Sequence, residues 1–209
     1  MKKQSRAKET WQKIWYFIWE DDSIWSWLVN ILLAFLIIKF IVYPGLGFML
    51  GTTHPIVAVV SGSMEHDRTD QYGYICGKYL PDYEGGYDSW WDACGSWYED
   101  NGITKQQFRD FQMSNGFSKG DIIVLRNGDS KNLELGDVIV FVGRRPEPVI
   151  HRVVEIDQED GEYLVTTKGD HNEDSDTYEG HIPNQLIAGK AFFRLPYLGF
   201  IKIWFVDLM

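Results

Sequence analysis

A long apolar run near the N-terminus constrains this chain most. It covers residues 24–42, nineteen positions in which the polar types are Ser26, Asn30 and Lys39. Because a helix rises about 1.5 Å per residue, the run reaches roughly 28 Å, close to the thickness of a hydrocarbon core. The segment therefore predicts one transmembrane helix, with Lys39 near enough to its far end to reach the interface.

Positive charge is concentrated before this segment. After Lys39 the next basic residue is Arg68, whereas five precede the run: Lys2, Lys3, Arg6, Lys8 and Lys13. This asymmetry predicts a cytoplasmic N-terminus and places the remainder of the chain on the other side of the membrane. A cleaved signal peptide is the alternative. The long N-terminal region and the lack of a small-x-small motif after the run favour a single uncleaved anchor.

The chain divides into three parts on this basis. Residues 1–22 form a cytoplasmic or interfacial segment, in which aromatic and aliphatic residues recur at helical spacing: Trp11, Ile14, Trp15, Ile18 and Trp19. They indicate either an interfacial helix or a longer transmembrane helix with an aromatic belt. Residues 23–50 are the anchor and linker. Residues 51–209 are the extracytoplasmic domain, interrupted by an insertion at 66–118.

The extracytoplasmic part has the pattern of a mainly β fold. Short runs rich in Val, Ile and Phe, separated by Gly- and Asp-containing turns, predict strands at 121–125, 137–142, 149–156, 162–167 and 191–195. No helix-length periodic segment interrupts residues 119–209, which argues against a parallel α/β sheet. We expect a compact antiparallel or mixed β domain. Residues 200–206 are too short to span a membrane and predict a last strand or a membrane-touching edge.

The insertion differs from its surroundings in composition. Residues 65–118 hold ten Asp or Glu against four Lys or Arg, and twelve aromatics lie between Met64 and Ser118. At most a short helix is expected, near residues 104–113, and we interpret the segment as a cap or lid. The chain as a whole carries a formal charge of −10. Nucleic-acid binding needs a basic surface, so that class of partner is excluded.

Both cysteines, Cys76 and Cys94, lie in the insertion. Outside the cytoplasm a disulfide between them would persist, and two buried thiols are the alternative. Two cysteines alone do not make a structural zinc site, which needs four ligands. No metal or cofactor is expected.

The sequence contains one candidate for a reactive serine. The segment Ser61-Gly62-Ser63-Met64 follows an apolar run at 56–60, so a strand end presents the second serine. A serine needs a neighbouring base to remove its proton. His151 lies on a predicted strand among Val and Ile, where a partner must compensate its burial. The acidic loop at 167–176 follows another strand, and it is a solvated turn, a cation site or the source of that partner.

The order of these motifs resembles the conserved boxes of type I signal peptidases, over residues 56–200 without the insertion. The boxes are Ser61-Gly62-Ser63-Met64, Lys119-Gly120-Asp121-Ile122, Leu135-Gly136-Asp137-Val138, His151-Arg152-Val153 and Thr167-Lys168-Gly169-Asp170, followed by Pro196-Tyr197-Leu198-Gly199. The similarity is to the branch of archaea and the eukaryotic endoplasmic reticulum. Bacterial relatives have a lysine base where this chain has His151.

The resemblance implies a role for each matching residue. Ser63 is the implied nucleophile and His151 the general base. Ser61 and the backbone N–H of Ser63 are the implied oxyanion donors. Asp176 matches the catalytic carboxylate, and Asp170 a second acidic residue needed for site geometry. The family's Gly-Asp-Asn-Asn pattern departs here to Gly-Asp-His-Asn, so Asp174 stays open as an alternative to Asp176.

The same resemblance implies substrates and partners. It predicts a membrane-bound serine endopeptidase that removes signal peptides from secreted preproteins after small residues. The lipid bilayer is a partner, and the translocon or accessory subunits are candidate partners. The residues themselves leave other bases open: His66, Lys168 and, in a supporting role, His171. A different class of function is a non-catalytic, membrane-tethered β domain that binds a protein through its acidic, aromatic insertion.

Overall fold

A computed structural model describes residues 2–143 and 148–200 of the 209-residue chain. The chain forms two compact units, Met1–Met49 and Leu50–Met209. The predicted last strand or edge at 200–206 lies, apart from Phe200, outside the described residues.

The N-terminal unit is helical. Helix α1 covers Lys2–Trp19 and helix α2 Ile24–Ile37, followed by a π-helical turn at Ile38–Val42 and helix α3 at Tyr43–Leu50. The stretch Ile24–Leu50, 27 residues, is long and apolar enough to cross a membrane, as predicted. The Ser23 side chain caps α2 by accepting a hydrogen bond from the backbone N–H of Ser26.

Helix α1 is separate from this stretch. Its last carbonyls accept hydrogen bonds from side chains of α2: the Ser26 hydroxyl donates to the carbonyl of Phe17, and the Asn30 amide to that of Ile18, at 2.8 Å. These bonds satisfy carbonyls that a helix end leaves without partners. The aromatic segment at 11–19 is therefore not a continuation of the anchor helix.

The second unit is built on an antiparallel sheet, which confirms the mainly β prediction. Its seven strands are β1 (Ile56–Ala58), β4 (Ile122–Arg126), β5 (Val138–Phe141), β6 (Val149–Glu159), β7 (Glu162–Lys168), β8 (Ile182–Pro183) and β9 (Ile187–Leu195). Their order in the sheet is β1-β4-β9-β5-β6-β7-β8. Strand β9 begins four residues before its predicted start because Ile187 and Gly189 pair with β5.

Two clusters of buried apolar side chains form the core around the sheet. One includes Val59, Met64 and Leu125, and the other includes Phe141, Val153 and Val165. Strand β5 is buried along its whole length, so both faces of the sheet are covered there, whereas buried and partly buried residues alternate along residues 122–125 of β4. The first cluster matters for the site because Met64, which is 1% exposed, fixes the turn that carries Ser63.

The insertion contains a short hairpin and two helices. The hairpin pairs β2 (Tyr74–Ile75) with β3 (Lys78–Tyr79), and the helices are α4 (Tyr87–Asp100) and α5 (Lys105–Asp110). The prediction of at most one short helix was wrong, since α4 has 14 residues. Gly95 and the tryptophan-rich composition obscured it. The apolar face is nevertheless helical, with Trp90, Trp91, Cys94 and Tyr98 buried.

The insertion has its own core. Trp90, Tyr98 and Phe108 are fully buried, and their ring centroids lie 4.7–5.6 Å apart. Such aromatic contacts contribute beyond the area that they bury. A disulfide joins Cys76 to Cys94, linking the hairpin to α4. The insertion is thus an ordered subdomain rather than a loose loop.

Candidate active site

The proposed nucleophile lies on a tight turn after β1. The backbone N–H of Glu65 donates to the carbonyl of Gly62 at 3.0 Å and closes the turn. The hydroxyl oxygens of Ser61 and Ser63 are 3.2 Å apart. The carbonyl of Ser63 accepts a hydrogen bond of 2.8 Å from the backbone N–H of His171. The acidic loop is therefore attached directly to the serine turn.

His151 lies on β6, opposite Ile139 of β5, and is 3% exposed. Gly169 packs against the edge of the His151 imidazole that carries Nε2. A Cβ at position 169 would lie 2.8 Å from His151 Nε2 and 2.7 Å from Asn172 Nδ2. Real Cβ atoms do not approach other atoms so closely. The glycine of the predicted box is thus required by the position of the imidazole.

A carboxylate that the sequence analysis did not include contacts His151. Glu179 Oε2 lies 2.6 Å from His151 Nδ1, and Glu179 is fully buried. The Thr167 hydroxyl donates to the same oxygen at 3.1 Å. Glu179 lies three residues beyond Asp176, the carboxylate of the acidic loop that the resemblance implies for this role. Glu179 follows strand β7 with no motif around it, so only its acidic type and position hinted at the contact.

Ser63, His151 and Asp176 line one cavity of about 470 Å³. Ser61 and Asn172 line it as well, together with the β1 residues Val57 and Ala58. Within the described residues no hydrogen bond joins Ser63 to His151. Catalytic hydrogen bonds are often long before substrate binds, so the two side chains are compatible with a nucleophile–base pair. Asp176 is exposed, and its Oδ1 accepts from the backbone N–H of Thr177 at 2.8 Å.

Asp170 occupies a different, fully buried position. Its carboxylate accepts hydrogen bonds from Arg152 Nε and Nη2 at 2.9 and 2.7 Å, from the Tyr98 hydroxyl at 3.0 Å and from His66 Nε2 at 2.9 Å. The remaining donors of Arg152 bond the carbonyls of Gln112, Met113 and Gly136. Every donor of the buried guanidinium is thus satisfied.

The charges in this network shift the pKa values of its members. Burial by itself raises the pKa of Asp170. The charge of Arg152 and hydrogen bonds from His66 and Arg152 outweigh that effect and hold the pKa well below its usual range. Burial lowers the pKa of His66, which stacks on Trp90 with ring centroids 3.9 Å apart. Its Nδ1 is buried and has no hydrogen-bond partner among the described residues, as fits a neutral imidazole.

The insertion holds the acidic loop through several polar contacts. The Trp90 indole donates to the carbonyl of Asp170 at 3.1 Å, and the Trp97 indole to Asp174 Oδ1 at 2.8 Å. The backbone N–H of Cys76 donates to the carbonyl of His171 at 3.0 Å. Within the described chain, the residues that line the cavity lie outside 66–118. The insertion therefore buttresses the loop, and its aromatic rings are not the walls of this cavity.

The alternative bases lie elsewhere. His66 is engaged with Asp170 and Trp90, and it does not line the cavity. Lys168 is buried, which lowers its pKa to about 8, and its Nζ donates to the carbonyls of Gly169 and Asn172. His171 bonds the carbonyls of Glu65 and Tyr74. Each of these groups shapes the loop, and His151 is the base candidate that lines the cavity with Ser63.

The chain is similar to catalytic subunits of signal peptidase complexes. The human subunit SEC11C is 34% identical over 98 residues, 44% of this chain and 51% of the relative. SEC11 of Lachancea thermotolerans is 34% identical over 106 residues, 44% of this chain and 60% of the relative. SEC11 of Plasmodium falciparum is 28% identical over 99 residues. No protein-family model matches the chain.

These relatives confirm the resemblance to type I signal peptidases that the motifs predicted. The chain spans about half the length of the curated relatives that it matches. All three of these relatives are eukaryotic, so they support the endoplasmic-reticulum side of the predicted branch and give no support to an archaeal assignment.

Proposed function

We propose that this relative of the signal peptidase catalytic subunits is a membrane-bound serine endopeptidase that removes signal peptides from secreted preproteins. The observation that carries the proposal is the cavity lined by both Ser63 and His151, with a buried carboxylate 2.6 Å from the imidazole. The similarity to catalytic subunits favours this function over a non-catalytic binding domain, which has no use for that arrangement.

In this mechanism Ser63 Oγ attacks the scissile carbonyl while His151 Nε2 takes its proton. The resulting imidazolium donates that proton to the leaving amine, and the signal peptide remains as an ester on Ser63. Water then attacks the ester, with His151 removing its proton and returning it to Ser63. Each step uses the nitrogen that faces away from Glu179, because Nδ1 is engaged with the carboxylate.

The oxyanion that forms on the substrate needs donors. The Ser61 hydroxyl, 3.2 Å from Ser63 Oγ, and the backbone N–H of Ser63 are the candidates. A single donor of this kind lowers the barrier by about 2.7–4 kcal/mol. Ser61→Ala is therefore expected to reduce the rate while leaving the nucleophile in place.

The position of β1 supports binding of an extended substrate. Strand β1 is at one end of the sheet order, and Val57 and Ala58 line the cavity. An extended peptide can pair with such an edge and direct alternate side chains toward the sheet. Shallow apolar walls at this point suit small side chains before the cleavage site.

We assign the segment Ile24–Leu50 as a membrane anchor with a cytoplasmic N-terminus, because basic residues precede it. The peptidase unit is then extracytoplasmic, where the Cys76–Cys94 disulfide is stable. The relatives are named as subunits of a complex. Accessory membrane subunits and the translocon are therefore proposed partners.

Covalent labelling tests the proposed enzyme directly. A serine-directed acylating probe should modify Ser63, and mass spectrometry of the digested protein identifies the residue. His151→Ala should abolish the labelling, whereas Ser96→Ala, a change at an exposed serine, should not alter it. A probe adduct that is absent from Ser63, or that persists unchanged in His151→Ala, contradicts the assignment.

A further inference from the structure

A buried carboxylate with few hydrogen-bond partners lies beside the proposed base. Glu179 is fully buried, yet Oε1 has no hydrogen-bond partner among the described residues. Its other oxygen contacts His151 Nδ1 at 2.6 Å and accepts from Thr167 at 3.1 Å. Burying a carboxylate with so few partners is costly, so this position demands a compensating interaction. The imidazole is that interaction.

The other acidic candidates are arranged for different tasks. Asp170 is saturated by Arg152, Tyr98 and His66, which take up both of its oxygens. Asp176 is exposed where it lines the cavity, and its Oδ1 accepts from the backbone of Thr177. An exposed carboxylate is hydrated and interacts more weakly with an imidazole than a desolvated one does.

We propose that Glu179 is the positioning carboxylate of His151, in place of the aspartate at 176 that the motif implies. This inference rests on the proposed serine-peptidase function. Glu179 keeps the proton on Nδ1, which leaves the lone pair of Nε2 free to accept the proton of Ser63. When His151 becomes an imidazolium, the buried carboxylate neutralises it at contact distance.

Backbone and side-chain contacts hold Glu179 in register for this role. Its carbonyl accepts from the N–H of Thr167 at 2.9 Å, and its own N–H donates to the carbonyl of Asp176 at 2.8 Å. Strand β7 and the end of the acidic loop therefore fix both the chain and the carboxylate. His151 on β6 is paired with the same strand, since Arg152 opposes Lys168.

Glu179→Gln tests the proposal, since the amide keeps the shape and removes the charge. It can also donate to Nδ1 and so hold the wrong tautomer. We expect kcat for a peptide substrate to fall by about 10³–10⁴-fold with KM little changed, as for other catalytic carboxylates of this kind. The imidazolium also loses its counterion, so the acid limb of the residual pH–rate profile should move to lower pH.

Two further variants separate positioning from structural support. Glu179→Asp keeps the charge and should retain more activity than Glu179→Gln. Thr167→Val removes a donor from the carboxylate, which strengthens its interaction with the imidazolium, so the acid limb should move slightly to higher pH. A loss of stability would not move the acid limb to lower pH in Glu179→Gln and to higher pH in Thr167→Val. Thr167→Val also keeps the test open if Glu179→Gln does not fold.

The result that overturns the inference is a folded Glu179→Gln protein with the kcat and acid limb of the wild type. The same holds if Asp176→Asn, and not Glu179→Gln, moves the acid limb. Failure of the proposed function looks different. In that case Ser63→Ala would retain full activity whatever residue stands at position 179.

Discussion

Single residues in this site are constrained by how closely the backbone approaches the proposed base. Gly169 leaves room for the edge of His151 that carries Nε2, and Glu179 holds the opposite edge. The buried Arg152–Asp170 pair then supports the loop on which Gly169 lies. Changes of one methyl group or one charge at these positions have separable consequences for activity and for stability.

Gly169→Ala should inactivate the protein with little loss of folding. The added Cβ would lie 2.8 Å from His151 Nε2, so the imidazole or the loop must move. A shift of about 1 Å in a catalytic group can cost about 10²-fold in rate. Gly180→Ala is the matched control, because no atom lies within 4 Å of a Cβ there. Peptide cleavage rates and far-UV circular dichroism check both, and an active Gly169→Ala enzyme contradicts the geometry.

Asp170→Asn should destabilise the domain strongly. It leaves the fully buried Arg152 without its counterion, and breaking a buried pair typically costs about 3–5 kcal/mol. Asp100→Asn, at an exposed position, is the control and should change stability by less than about 0.5 kcal/mol. Urea unfolding of both variants measures the difference. Equal stabilities would show that the network contributes nothing.

The same pair predicts the acid sensitivity of the fold. The pKa of Asp170 is depressed in the folded state, so its contribution is fully present above the unfolded value of about 4 and is lost as pH falls below it. Stability measured between pH 6 and pH 3 should therefore fall less steeply in Asp170→Asn than in the wild type.

Among the structural elements, the insertion is a disulfide-linked subdomain that supports the site. Helix α4 supplies Trp90, Trp97 and Tyr98, each of which donates a hydrogen bond to the acidic loop. The disulfide ties this helix to the β2–β3 hairpin, whose Cys76 N–H bonds the same loop. A change that loosens the insertion should therefore displace the acidic loop, although the insertion does not line the cavity.

Replacing Cys76 and Cys94 together by Ser should lower the free energy of unfolding by about 3 kcal/mol, the value for a closed loop of this size. The residues are 18 apart in the chain. Thermal unfolding with and without a reductant checks this. Reduction should destabilise the wild type and leave the double variant unchanged. A reductant-insensitive wild type would mean that the bridge does not form.

The sequence predicted the elements better than it predicted the partners within the site. Alternating and buried runs indicated β4, β5, β6 and β7 within one or two residues at most ends, because local hydrophobic patterns set strands. The contact of Glu179 with His151 could not be predicted in this way. It depends on how β6, β7 and the loop after β7 fold against one another. Helix α4 was missed because its apolar face consists of aromatics interrupted by Gly95.

At the scale of the whole molecule, the chain combines a helical unit with a β unit. Its formal charge of −10 is unevenly distributed, with the basic N-terminal segment preceding the apolar helix. If this helix is the anchor that we propose, residues 1–22 are cytoplasmic and the peptidase domain is extracytoplasmic. Both native cysteines are in the disulfide, so single introduced cysteines can report on this arrangement.

An introduced cysteine should react according to its side of the membrane. Ala7 and Ser96 are both exposed. In sealed vesicles that keep the cytoplasmic face outside, a membrane-impermeant maleimide should label Ala7→Cys at once and Ser96→Cys only after lysis. The reverse pattern would invert the proposed topology, and equal labelling of both in sealed vesicles would argue against a spanning helix.

Cleavage of a preprotein by purified Ser63→Ala decides whether Ser63 is the nucleophile of a signal peptidase. The full-length wild-type protein in detergent or lipid should release the signal peptide after a small residue, with the site read by N-terminal sequencing of the product. Ser63→Ala should fold and bind membranes normally but release no signal peptide, while Gly180→Ala should cleave at the wild-type rate. Wild-type-like processing by Ser63→Ala would show that Ser63 is not the nucleophile.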